Sequence, residues 1–233
     1  MQDKTLYLIP TTLGGNKETI PAYVSNVCSE LDAFIVENLR SARRYLRSIG
    51  FKKDFDNEVS FYELNKHSKD ELEPLFTFLN ENKNIGLLSE AGNPCIADPG
   101  ALAVSLCHEL KIQVKPLVGP SSILMALIAS GFDGQNFTFH GYLPIENSER
   151  NKAIKDMEGS LKRTGYTQIF METPYRNEKM ITSVLKICNK QSKLCIAADI
   201  SLDTEHIETR TIENWNQKRQ NYHKRPAIFV LGN

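Results

Sequence analysis

Along the first half of the chain, short apolar runs bounded by turn residues alternate with longer segments whose apolar positions recur at helical spacing. Thr5 to Ile9 is a β-rich run closed by Pro10, and Ala33-Phe34-Ile35-Val36 is a second. Val59 to Leu64, Ile85-Gly86-Leu87-Leu88 and Val114 to Val118 read as three more strands. Between them, Ile20, Val24, Val27 and Leu31 predict one helix, with Pro21 in its first turn, and Leu39, Ala42, Leu46 and Ile49 predict another. A capping box at Ser68-Lys69-Asp70-Glu71 opens a third helix with Leu72, Leu75, Phe76 and Leu79 inside. A fourth carries Leu102, Leu106 and Leu110. Strands that alternate with helices in this way predict a parallel α/β sheet.

The pattern changes at FDGQNFTFHGYLP. Phe137 to Tyr142 alternates like an antiparallel strand, and the polar residues Glu146 to Arg150 read as a mobile link. These features divide the chain into an N-terminal lobe, 1–117, and a C-terminal lobe, 118–233. In the second lobe the pattern predicts helices over about 147–163 and 177–189. It predicts strands over 168–171, 194–200, 207–212 and 226–231, hence a mixed sheet.

Three stretches carry candidate chemistry. After the apolar run at 85–88 comes a loop that no helix holds, with Gly92, Pro94, Pro99 and Gly100 within nine residues. Strand, long loop, helix is how an open α/β sheet builds a ligand site beyond the carboxyl ends of its strands, although a long crossover turn reads the same way. Gly119-Pro120-Ser121-Ser122 repeats the arrangement, with small residues and free N–H groups at a helix start. On the helix after 36, Arg40, Arg43, Arg44 and Arg47 share a face at i, i+3, i+4, i+7 spacing, which suits either phosphate contacts or solvent. Glu172 and Arg176 in ETPYR lie at a strand end, where they orient a ligand or pair with each other.

Composition narrows the function. Lys+Arg and Asp+Glu both number 28, so a protein gripping long nucleic acid by net charge alone is excluded, though a local basic patch is not. Five cysteines without C-x-x-C spacing read as buried thiols in a reducing cytosol, and five scattered histidines offer no metal site. No apolar run approaches the ~20 residues of a membrane span, and the N-terminus lacks the apolar region of a signal peptide. A soluble, cytoplasmic protein is expected. The loop PTTLGGNKE fits neither common nucleotide-binding glycine pattern.

AGNPCIADPG resembles the A-G-x-P-x-I-S-D-P-G signature of the 16S rRNA ribose 2′-O-methyltransferase family, within the tetrapyrrole (corrin/porphyrin) methylase superfamily. GPSS and ETPYR fall where that family has G-P-S-A and E-S-P-H-R, and the resemblance runs from Leu6 to about Leu231. The chain departs from it at three places. Thr12 and Gly15 replace a proline and an asparagine in the first loop; Asn38 and Leu39 replace the centre of E-D-T-R; and FYELN, with Asn65, lacks the histidines of Y-H-x-H-N.

The resemblance implies two α/β lobes, a Rossmann-like parallel one and a mixed-sheet one, with S-adenosylmethionine in the cleft between them. From the first lobe it places Pro10, Glu90, Ala91, Gly92, Asn93, Pro94 and Ile96 at the cofactor, followed by Ser121 and Ser122. From the second it places Met171, Glu172, Ala198, Pro226 and Ala227 there. It also implies a homodimer, small-subunit ribosomal RNA as partner and no metal. Transfer from a sulfonium is an in-line displacement that mainly needs positioning, and a ribose hydroxyl benefits from a general base. Glu18, Glu37, Glu63 and Glu90 are the candidates, Glu37 being favoured, with Arg40 orienting the RNA and Arg40, Arg43, Arg44 and Arg47 together expected to bind its phosphate backbone. Two rivals remain: a superfamily enzyme acting on a tetrapyrrole, other small molecule or protein, and a non-catalytic cofactor- or RNA-binding module.

Overall fold

The computed structural model describes residues 4–64, 72–82, 84–215, 217 and 219–233. The capping box at 68–71 and Asn65 lie outside the described residues. Two compact units form, Met1–Ser121 and Ser122–Asn233.

In the first unit, β1 (Thr5–Ile9), β2 (Ala33–Val36), β3 (Ser60–Glu63), β4 (Asn84–Leu88) and β5 (Gln113–Pro116) make one sheet in the order β3-β2-β4-β1-β5. Every pairing is parallel. The run 85–88 therefore supplies the middle strand, and its four residues are buried because helices cover both faces. Val24 and Cys28 of α1 (Ala22–Ser29) and Ala42 and Leu46 of α2 (Leu39–Ser48) join one core with Ile9, Phe34 and Leu88. Leu75 and Leu79 of α3 (Leu72–Glu81) and Ala103 and Cys107 of α4 (Ala101–Glu109) join the other with Leu6, Ile35 and Leu87.

Two expected inward positions face outward. Phe76 is 44% exposed and Leu102 is 37% exposed. α4 turns its small residues, Ala103 and Cys107, to the sheet, with Leu106 and Leu110 packed beside them. A stripe chosen by hydrophobicity alone is thus rotated from the one that close packing selects.

The second unit contains α5 (Ser122–Ser130), β6 (Phe137–Tyr142), α6 (Asn147–Thr164), β7 (Thr167–Glu172), α7 (Asn177–Ile187), β8 (Lys193–Ala198), β9 (His206–Thr211), α8 (Ile212–Trp215) and β10 (Ala227–Gly232). Its sheet order is β6-β7-β10-β8-β9. β6 pairs parallel with β7, contrary to the antiparallel expectation, and the remaining pairs are antiparallel. The intervening helix α6 carries the chain back to the start of the sheet, which is the connection a parallel pair requires. The alternation of 137–142 reflects an edge strand with one covered face, not its direction. Residues 146–150 are not a link but the start of α6. Arg150 is buried and donates to Ile145 O at 2.9 Å and to Ser183 Oγ at 3.3 Å. Phe170 and Phe229 stack in the core beside Trp215 and Tyr222.

All five cysteines are free thiols, and four are buried. Burial pushes the Cys28 thiol up to about 12 and that of Cys107 up to about 11, so both stay protonated and inert near neutral pH. Among the described residues, no helix is long and apolar enough to cross a membrane. Nor do His, Cys, Asp and Glu among them group as metal ligands.

Gly86, in the middle strand, lies where neighbouring side chains close over the backbone. A Cβ there would stand 2.6 Å from Ile9 Cδ1 and 2.7 Å from Phe34 Cδ1. Gly86→Ala should overpack this core and cost about 1–3 kcal/mol. Urea unfolding checks it, the expected result being a lower midpoint with an unchanged slope.

Candidate active site

The register of the parallel sheet sets the site. Leu88 lies opposite both Ile9 and Val36, and Val36 opposite Glu63, so four strands end on one level. The segments that follow them, starting at Pro10, Glu37, Leu64 and Ser89, emerge together at one edge.

These loops are bound to one another by backbone. Thr11 N donates to Gly92 O at 2.8 Å, joining the loops after β1 and β4. Gly92 has φ 73°, a left-handed conformation that favours glycine. Pro10 packs on Gly119 of the loop after β5, where a Cβ would fall 2.1 Å from Pro10 Cβ, so only glycine permits the contact. Two tyrosines brace these turns: Val118 N donates to Tyr23 OH, and Tyr45 OH donates to Pro10 O at 2.6 Å.

The loop after β4 is wound around one carboxylate. Asp98 Oδ1 accepts Cys95 N at 2.9 Å and Gly100 N at 2.8 Å. Cys95 and Ala97 sit at φ 70° and 63°. Non-glycine residues held there cost about 1–3 kcal/mol each, and such strain collects at functional loops. Gly92 and Pro94 are buried beneath this loop, Asn93 is half-buried, and Glu90, Ala91 and Ile96 are exposed along it. Ser121 and Ser122 are half-buried.

The four candidate bases have different surroundings. Glu63 Oε1 accepts Leu39 N at 3.3 Å, and Glu90 Oε1 accepts Ser41 Oγ at 3.2 Å, so both anchor the first turn of α2. Asn38 completes that turn, its Oδ1 accepting Ser41 N at 3.0 Å, and so does the capping work of the acid it replaces in the family pattern. Glu18 is exposed in a short turn, Lys17–Thr19. Glu37 is half-buried at the end of β2 and lines a small pocket with Ser89, Asp98 and Pro99.

The arginine face is divided. Arg43 Nη2 pairs with Asp56 at 2.9 Å and its guanidinium lies 5.3 Å from the Phe61 ring centre. Arg47 lies 3.9 Å from the Phe55 ring centre and donates to Phe51 O at 2.7 Å. Both lie against the aromatic group Phe51, Phe55 and Phe61, Arg43 half-buried and Arg47 still exposed, while Arg40 and Arg44 are exposed away from the rings. Nothing in the one-dimensional spacing separates the two pairs.

In the second unit, register again gathers candidates. Ala227 lies opposite Glu172 on one side and Ala198 on the other, and Met171 lies opposite Ile228. Pro226 O accepts Asp199 N at 2.9 Å beside them. Glu172 is 5% exposed and takes Arg176 Nε at 2.9 Å, so these two side chains hold each other. A second clamp was not legible in the sequence. Asp199 Oδ2 accepts Arg225 Nε at 2.7 Å and Thr204 Oγ1 at 2.9 Å, and buried Asn177 donates to Tyr222 O at 3.0 Å. These partners lie 5 to 45 positions apart without a motif.

No family model matches the chain. It is 33% identical over 207 residues to the ribosomal RNA small subunit methyltransferase I of Bacillus subtilis, covering 89% of this chain and 67% of that protein. The protein of the same name from Haemophilus influenzae is 30% identical over 229 residues, covering 97% of this chain and 77% of the relative. Among solved structures, the methyltransferase CobJ has a TM-score of 0.63 at 11% identity, covering 100% of this chain and 95% of that one. The uroporphyrin III C-methyltransferase of Thermus thermophilus has a TM-score of 0.57 at 15% identity, covering 98% of this chain and 97% of that one. These two likenesses show a shared tetrapyrrole methylase fold. The sequence likeness goes further: the chain belongs to the ribosomal RNA small subunit methyltransferase I family.

Proposed function

We propose that this chain transfers the methyl group of S-adenosylmethionine to a ribose 2′-hydroxyl of small-subunit ribosomal RNA. One observation carries the reading. The level carboxyl edge of the parallel sheet presents closely packed loops built on Gly92, Pro94 and Gly119, with the carboxylate of Glu37 next to them. The family resemblance of these loops supports a nucleoside cofactor here, and Gly92 and Gly119 let the loops close on Leu13 and Pro10 so that they meet in one small region. When bound, S-adenosylmethionine supplies a methyl group on a sulfonium that already carries its leaving group.

The chain's own residues then have three tasks. Pro10 and the 90–96 loop hold the nucleoside in place through backbone groups. Arg40 and Arg44 hold the RNA phosphates, which fixes register and orientation. Glu37 takes the proton of the attacking hydroxyl. The alternative of a tetrapyrrole acceptor rests on fold likeness alone.

A single-turnover assay with labelled S-adenosylmethionine and RNA from small ribosomal subunits tests the reading. Glu37→Gln should slow transfer by about 10²–10⁴-fold, with cofactor affinity by calorimetry held. Full rate in the variant would remove Glu37 from the role. No heat of cofactor binding by the wild type, with or without chelator, would sink the cofactor itself.

Charge reversal distinguishes the two arginine pairs. Arg40→Glu with Arg44→Glu should weaken binding to all RNAs alike and reduce the log–log salt slope by roughly one unit per lost contact. Arg43→Glu with Arg47→Glu should instead lower the unfolding midpoint, because those side chains cover Phe55.

We also propose a homodimer. Leu124 and Ile128, one turn apart on α5, are 49% and 82% exposed and together form an apolar pair that a second copy of the chain would cover. Light scattering should show twice the 26.4 kDa chain mass at micromolar concentration; a 26.4 kDa species throughout would refute it.

A further inference from the structure

Helix α2 carries four strips, each an i, i+4 pair, and each meets different surroundings. Successive residues turn by about 100° around a helix, so four consecutive pairs cover its circumference. Ala42 and Leu46 are buried in the core. Arg43 and Arg47 lie over Phe55. Arg40 and Arg44 are exposed. The fourth strip, Ser41 and Tyr45, reaches the loops at the carboxyl edge. Ser41 Oγ lies within hydrogen-bond reach of Glu90 Oε1 in the loop after β4 at 3.2 Å, and shares its one proton between that carboxylate and Asn38 O at 3.1 Å. Tyr45 OH donates to Pro10 O at the start of the loop after β1 at 2.6 Å.

Both contacts reach further than their immediate partners. Pro10 is buried and closed against Gly119, and Thr11 beside it donates to Gly92 O. Tyr45 thus fixes the head of a chain of contacts running from the loop after β1 to those after β4 and β5. Burial raises the phenol's pKa and keeps its proton on the donor. Ser41 and Tyr45 flank the exposed arginines, one residue on from each.

We propose that Ser41 and Tyr45 are positioning residues that tie the RNA-bearing face of α2 to the cofactor loops, so that RNA and cofactor bind cooperatively. The inference rests on the function proposed above and names a coupling within it. A phosphate held by Arg40 and Arg44 fixes the placement of α2, and with it the two hydrogen bonds that set Pro10 and Glu90. Linkage is reciprocal: the factor by which RNA tightens the cofactor is the factor by which cofactor tightens RNA.

The test is calorimetry on the full chain. S-adenosylhomocysteine is titrated without RNA and with a saturating in vitro transcript of small-subunit ribosomal RNA. In the wild type the RNA should tighten nucleoside binding by about fivefold or more. In the Ser41→Ala, Tyr45→Phe double variant that factor should shrink to within about twofold, while each ligand still binds alone. Because Tyr45→Phe leaves a buried carbonyl without its donor, Ser41→Ala is measured by itself as well. It should lose part of the coupling with an unchanged melting temperature. Loss of stability with undiminished coupling would show a merely structural role and overturn the proposal. Wild-type protein that binds both ligands independently would also overturn it. If the wild type binds neither, the proposed function itself fails and this inference falls with it.

Discussion

The first unit depends on the in-register ending of parallel strands. A parallel pairing directs every carboxyl end to the same edge, and the alignment of Ile9, Val36 and Leu88 brings three of those ends to one height. Loops emerging at one height can bond to each other directly, as Thr11 does to Gly92. The burial of β4 on both faces holds this arrangement. A strand that packs against helices on two sides resists any slip, since a shift of one residue would reverse which side chains meet which core.

Close approach comes next in importance. Gly86, Gly92 and Gly119 are each needed for a different reason: a covered strand, a left-handed turn and a proline ring lying against the backbone. Their absence of side chain lets the loops after β1, β4 and β5 share one small region. The strained residues Cys95 and Ala97 are kept in place by Asp98, whose single oxygen takes two backbone donors. A strained loop with its own internal anchor keeps its form before any ligand arrives, which lowers the ordering cost of binding.

Helix α2 shows how one amphipathic segment serves several purposes. Its apolar strip packs and its next strip stacks on aromatic rings. A third grips two loops, and the fourth is exposed without a ring beneath it. Arginine suits both of its strips because a planar guanidinium lies flat on an aromatic ring as readily as it meets a phosphate. The departures from the family pattern at Asn38 and Leu39 keep this arrangement intact, as Asn38 still caps the helix.

By itself the sequence determined most of the fold. Apolar runs of four or five residues at 5–9, 33–36 and 85–88 became strands because nothing else buries such runs between turn residues. The glycine and proline pattern of 92–100 marked the central loop, and three matched motifs marked the family. Tertiary structure decided what spacing leaves degenerate. The direction of β6 followed from the crossover helix α6 and not from its own alternation. The inward faces of α3 and α4 followed from close packing, which exposed Phe76 and Leu102. The stacking of Arg43 and Arg47, but not Arg40 and Arg44, on aromatic rings followed from where the 51–61 segment folds. The bonds from Tyr45 to Pro10 and from Asp199 to Arg225 join residues 35 and 26 positions apart, and a local pattern carries no information about partners at that distance.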